Sequence, residues 1–227
     1  MGKALFITGT GTDIGKTYVT GLIVKRLKEA GLRAGYYKAA LSGAEMSADG
    51  SLLPGDALHV ACTAALAEDE AIVSYIYRDA VSPHLAARIE NRPIDFGKVE
   101  RDFRAAKERF DYLTVEGSGG IICPLRWDEH EHVVLDDLAV RLGLSALVVA
   151  DAGLGTINAA VLTAEHLKMR AIPLKGFIFN NWQAGDVMQE DNKKMVEEMT
   201  GAPVVACVAK GAEELPLAAA ALAALYD

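Results

Sequence analysis

The chain has 227 residues, of which 51% are hydrophobic, 24% charged and 7% aromatic; this excludes long disorder and suits a core that buries roughly 70% of the unfolded surface. With 23 basic and 31 acidic side chains the formal charge is −8, and no Lys/Arg cluster stands out, so nucleic acid is not an expected partner. Cys62, Cys123 and Cys207 are scattered and form no CxxC pair, which argues against a disulfide framework or zinc site and suits a reducing, cytoplasmic setting.

Residues 4–8 (ALFIT) are an apolar run expected to form a buried strand, and TGTGTDIGKT follows at 8–17. Val19, Leu22, Ile23 and Leu27 then fall at helical spacing over 16–30, with Gly31 as the stop. A second strand is expected at 34–38. The Gly/Ser/Ala-rich stretch 40–54 reads as a long functional loop. Helices follow at 56–62, 83–90 and 96–110, a strand at 112–116, a helix at 134–142 and a strand at 146–150. The order continues with a helix at 156–169, a strand at 176–179, a helix at 187–199, a strand at 204–208 and an alanine-rich tail helix. Such alternation implies a doubly wound α/β fold: a mostly parallel sheet with helices on both faces, in one domain over 1–227. Ligands of these folds gather at the carboxyl ends of the strands. The opening MGKALFITGTG lacks a signal-peptide core, and the apolar tail, broken by Pro216, is too short to span a bilayer. No membrane association is expected.

Gly15, Lys16 and Thr17 are the tail of a phosphate loop set between a strand and a helix. Glycines let backbone N–H groups approach phosphate oxygens, Lys16 reaches the outer phosphates, and the Thr17 hydroxyl suits Mg²⁺. The usual leading glycine is replaced by Thr10, and Gly9 gives a loop longer by one residue. Gly9, Thr10 and Gly11 leave no place for the early lysine of partition-class ATPases. Magnesium also needs carboxylates. Glu116 closes the strand YLTVE before Gly117, Ser118 and Gly119; Asp56 opens a helix and equally suits an N-cap.

GTGTDIGKT (9–17), YYKAALSG (36–43), GDALHVA (55–61), SPHLAA (82–87), VEGSGG (115–120), GLGTINAAVLTAEHL (153–167) and FIFNN (177–181) occur in this order. In this set the chain resembles the ATP-dependent dethiobiotin synthetases. The resemblance implies that Asp13, Ile14, Gly15, Lys16, Thr17 and Tyr18 hold the triphosphate of ATP, with Gly117, Ser118 and Gly119 nearby. It implies Thr17, Asp56 and Glu116 as Mg²⁺ ligands, and Lys16 and Lys38 as the catalytic lysines, Lys38 meeting the γ-phosphate and a carbamate. Thr12 and Ser42 would touch the diamine substrate, 7,8-diaminopelargonate, which reacts with CO₂. Asn180 and Asn181, with Val208, Ala209 and Lys210, would surround the base. Gly155, Thr156, Ile157 and Asn158, an anion-binding helix start, would hold the substrate carboxylate of a neighbouring subunit, so a homodimer with shared sites is implied.

Three departures from the family pattern stand out. Lys38 is followed by Ala39 and Ala40 rather than proline, Asn181 replaces a common aspartate, and the 207–211 loop lacks a proline, so looser base selectivity is expected. As a strand-end lysine, Lys38 is expected to contribute little to packing. The acidic, histidine-bearing run 128–132 reads as a solvated loop, Asp151 as no metal ligand, His84 as a helix-start residue, and Met188, Met195 and Met199 as core filler. The alternatives are the ATP-using domain of a cobyrinate-type amide synthase, for which the chain is too short to hold a glutaminase, and a partition-class nucleotide switch.

Overall fold

The computed structural model describes residues 2–227. Seven strands form one sheet: β1 (Lys3–Gly9), β2 (Ala34–Leu41), β5 (Ala71–Ile76), β6 (Tyr112–Glu116), β9 (Ala146–Asp151), β10 (Leu174–Trp182) and β11 (Val204–Ala209). Their order is β11-β10-β9-β1-β6-β2-β5, and every pairing is parallel. Two short ribbons lie outside it, β3 (Glu45–Met46) with β4 (Leu52–Leu53) and β7 (Pro124–Trp127) with β8 (His132–Val134).

The pleat sends alternate side chains of each strand into two cores. Leu5 and Ile7 of β1 and Leu147 and Val149 of β9 face α1 (Lys16–Glu29), α2 (Gly55–Ala64) and α8 (Ala219–Ala223). Ala4, Phe6, Val148 and Ala150 face the other way. There they meet α3 (Pro83–Ile89), α4 (Phe96–Arg109), α5 (Leu135–Arg141), α6 (Thr156–Met169) and α7 (Val187–Thr200). A sheet buried on both faces needs strands that are apolar throughout, which is why ALFIT and ALVVA show no polar alternation. Among the described residues no helix is long and apolar enough to cross a membrane.

Several expectations are corrected. Strand β5 was missed: its run AIVSYI is a half-buried edge with polar residues close on either side. The stretch 40–54 is not all loop, since β2 runs to Leu41 and the β3–β4 ribbon occupies its middle. The run 128–132 is a solvent-exposed loop as expected, shaped as a hairpin turn in which Asp128 accepts from the backbone of His130 and Glu131 and His132 stacks on Trp127. The tail helix shrinks to Ala219–Ala223, and Tyr226 beyond it is buried with its hydroxyl 2.7 Å from Thr114 Oγ1. Met188 and Met199 are exposed, not core filler, because α7 buries the adjacent face carrying Gln189, Asn192 and Val196.

Candidate functional site

Four helices have 14 residues. Two begin on an aspartate cap, α4 on Asp95 and α7 on Asp186. The other two, α1 and α6, begin on left-handed glycines, Gly15 at φ 86° and Gly155 at φ 91°, with no side-chain cap and no acid in the first turn. No side chain therefore satisfies their first N–H groups, although Thr156 N of α6 donates to the Gly153 carbonyl at 3.3 Å, and no acid offsets the positive end of either helix dipole. Gly15 is fixed by space as well as by φ: an added Cβ would stand 2.2 Å from the Asn180 amide nitrogen. Asp13 is also left-handed, at φ 59°, so the long loop makes two unusual turns before the helix starts.

Beside that loop lies a cavity of about 370 Å³ lined by Thr12, Asp13, Gly15, Lys16, Thr17, Lys38, Asp56, Glu116 and Gly119. Register explains the convergence. Lys38, in the carboxyl half of β2, sits directly opposite Glu116, the last residue of β6. Lys38 Nζ donates to Asp56 Oδ2 at 2.5 Å and to Glu116 Oε1 at 2.7 Å. Thr17 Oγ1 donates to the same Glu116 oxygen at 2.8 Å, and Tyr36 OH to Oε2 at 3.2 Å. Among the described residues, Lys16 Nζ reaches only the carbonyl of Gly11, at 2.9 Å.

The two lysines differ electrostatically. Burial and the neighbouring charge of Lys38 bring Lys16 below the ordinary lysine value, against the pull of Glu116, Asp56 and Asp13. Burial also opposes the charge on Lys38, but Glu116 and Asp56 outweigh it and raise that ammonium. Burial, then the charge of Glu116, lifts the Tyr36 phenol well above its usual range, so Tyr36 serves Glu116 as a neutral donor. Tyr36 was missed in the sequence, although it lies two residues before Lys38 and so shares its face of the strand.

The remaining expected residues are more dispersed. Ser118 Oγ donates to the carbonyl of Ala40 at 2.7 Å, tying the glycine turn to the end of β2. Gly117 is required by packing, because a Cβ there would meet Leu135 at 2.8 Å and Phe6 at 3.0 Å. Ser42 lies beyond the end of β2 and does not line the cavity. Asn158 lines a second cavity, of about 440 Å³, which it shares with Gly9, Thr10, Ile122, Leu162 and His166. Gly155, Thr156 and Ile157 precede it, with Thr156 Oγ1 buried and unpartnered. Asn180 donates to the Ile14 carbonyl at 3.0 Å, and its Oδ1 is buried without a partner among the described residues. Asn181 turns away and binds Asp151 at 2.6 Å. The side chain of Val208 is wholly buried in the core, and the exposed residues at that strand end are Ala209 and Lys210.

A family model described as an AAA domain matches residues 3–213. The ATP-dependent dethiobiotin synthetase BioD of Brachyspira hyodysenteriae is 48% identical over 212 residues, 93% of this chain and 94% of that one. The chain belongs to the ATP-dependent dethiobiotin synthetases. The BioD of Clostridium botulinum is likewise similar, 46% identical over 228 residues, covering 100% of this chain and 99% of its own. Membership of the family makes the chain an ATP-dependent enzyme, a ligase of the synthetase kind. Among solved structures, MinD in the MinC:MinD cell division complex of Aquifex aeolicus is 15% identical, with a TM-score of 0.58 over 98% of this chain and 93% of that one. A ParA family ATPase from Chlorobium tepidum is 15% identical, with a TM-score of 0.56 over 92% and 85%. At such identities the likeness is one of fold alone.

Proposed function

We propose that the chain makes dethiobiotin from 7,8-diaminopelargonate, CO₂ and ATP as a single domain over residues 1–227. The observation that carries the site assignment is Lys38, only 4% exposed and clasped by Asp56 and Glu116 inside the cavity that Lys16 and Thr17 also line. The fit to a nucleotide rests on three features. Gly15 has no room for a side chain, the first turn of α1 has free N–H groups, and Asn180 Oδ1 lacks a donor. The donor set Thr17, Asp56 and Glu116, all oxygen and two of them carboxylates, suits Mg²⁺. When bound, Mg²⁺ would neutralise phosphate charge there.

One amine of the diamine takes up CO₂ as a carbamate, whose oxygen attacks the γ-phosphate, breaking its bond to the β,γ-bridging oxygen, to give a mixed carbamic–phosphoric anhydride and ADP. The second amine closes the ureido ring and phosphate leaves. Lys16, whose one bond to the Gly11 carbonyl is readily exchanged, takes the outer phosphates. Lys38 balances charge between carbamate and γ-phosphate, and Tyr36 and Thr17 orient Glu116. Asp13, Ile14 and Tyr18 contribute backbone around the phosphates; Thr12 and Ser42 contact the diamine. Catalysis is then positioning and charge neutralisation, with little covalent work for the protein.

A homodimer completes this reading, with Gly155–Asn158 of each subunit holding the substrate carboxylate of the other. Leu154 is 92% exposed, Leu162 62% and Ile122 59%, an apolar rim around that helix start that favours burial against a second copy. Phosphate release should depend on the diamine, CO₂ and Mg²⁺ together. Equal turnover without the diamine would replace this reading with a nucleotide switch.

A further inference from the structure

Lys38, Asp56 and Glu116 belong to β2, α2 and β6, to one side of β1 in the sheet. A triphosphate whose outer phosphate meets them must therefore extend its nucleoside past the first turn of α1 toward the other side, where β10 and β11 end. Asn180 of β10 stands there against Gly15, and its register partner is Val208 of β11. The segment after β11 thus begins beside the nucleoside end of the site.

Three side chains of α1 grip that segment, each by a backbone carbonyl. Tyr18 OH donates to Ala212, Lys25 Nζ to Glu213 at 3.0 Å and Arg26 Nε to Leu217 at 3.0 Å. Ala212 N returns to the Ala209 carbonyl at 3.1 Å, closing a turn through Gly211 at φ 75°, and residues 209–211 are exposed. The turn follows directly on the register partner of Asn180 and is pinned at its base by Tyr18. Tyr18 follows Thr17 directly, so the pin springs from the same helical turn that receives the phosphates.

We propose that Tyr18 is a positioning residue for the nucleoside: by holding the Ala212 carbonyl it sets the 209–212 turn as a preformed wall next to Asn180. This rests on the nucleotide reading above. Anchoring such a turn before the ligand arrives removes an ordering cost from binding. Lys25 and Arg26 hold the following residues, and because all three donors recognise backbone, the grip is independent of side chains in the segment.

Tyr18→Phe keeps the ring and removes the donor. Its dissociation constant and KM for ATP should rise about tenfold, roughly 1.4 kcal/mol, with kcat within about twofold and the diamine KM unchanged. Inorganic tripolyphosphate, which has no nucleoside, should bind the variant as tightly as the parent. Amides of 209–213 should exchange faster without a fall in melting temperature. Arg26→Met should give the same pattern in smaller measure. Unchanged ATP affinity, or equal weakening of ATP and tripolyphosphate, would overturn the positioning role. A parent protein that binds neither ligand would instead overturn the nucleotide reading, and this inference with it.

Discussion

Two clusters in this molecule both set buried carboxylates against basic side chains and end differently. Between α5 and α6, Asp136 is fully buried and accepts from His166 Nε2 and Arg170 Nη1, each at 2.7 Å, and from the Asp137 backbone at 2.9 Å. Asp137 accepts from Arg170 Nη2 at 2.6 Å and from Val134 N at 2.9 Å. That network is closed. At the strand ends, Lys16 has only one carbonyl, Asp56 remains 40% exposed and Asn180 Oδ1 has no partner. A satisfied network stabilises and fixes the packing, whereas an incomplete one leaves polar groups whose desolvation only a ligand can repay.

The sharpest test of this contrast is at the lysines. Lys16→Ala or Lys38→Ala should lower turnover by about 10² or more in a phosphate-release assay, as loss of a preorganised donor does. Lys38→Ala should also lower the unfolding free energy by about 3 kcal/mol, because Glu116, whose side chain is fully buried, loses its cationic partner. The expectation that Lys38 contributes little to packing is thus corrected: register places it opposite a buried glutamate rather than at the surface. Lys16→Ala should cost turnover without comparable destabilisation, since its ammonium has no carboxylate partner to strand.

Asp136→Ala should do the reverse. Denaturant unfolding should show a loss of about 1–3 kcal/mol, because His166, Arg170 and the Asp137 N–H lose their fully buried acceptor, with ATP affinity unchanged. A variant that kept its stability and lost ATP binding would erase the distinction between the clusters.

Acid titration gives a smaller effect with a definite sign. Burial works against ionised Asp137, but hydrogen bonds from Arg170 and Val134 and the charges of Arg170 and Arg141 prevail and hold its carboxyl below the usual range. A carboxyl depressed in the folded state stabilises it above the unfolded value, about 4, and that contribution fades as pH falls through the folded value. Melting curves of Asp137→Asn should therefore lie below the parent at neutral pH and converge with it below about pH 4. Smallest of all, Arg170→Lys should keep one contact and lose its forked geometry, costing about 1 kcal/mol in unfolding.

The core strands were legible because burial on both faces demands uninterrupted apolar runs, and the phosphate loop because a glycine turn between strand and helix has few other uses. Edge strand β5 and the two ribbons were not, since half-buried segments dilute that signal and depend on cross-strand partners. For the site, the phosphate loop pointed to Lys16, the expected strand ends to Lys38 and Glu116, and a helix start, read with the family resemblance, to Asp56. Tyr36 and the exposed methionines of α7 turned on which face was covered, and no local spacing states that.

By itself, then, the sequence determined the fold class, the phosphate loop and the family, because each is written in contiguous segments whose backbone chemistry is local. Tertiary structure decided the rest. The order of the strands set Lys38 opposite Glu116, put Asn180 against Gly15 and carried the chain's last quarter back to Tyr18. Those meetings join residues distant in sequence, and parallel pairing fixes them only when the whole sheet is assembled.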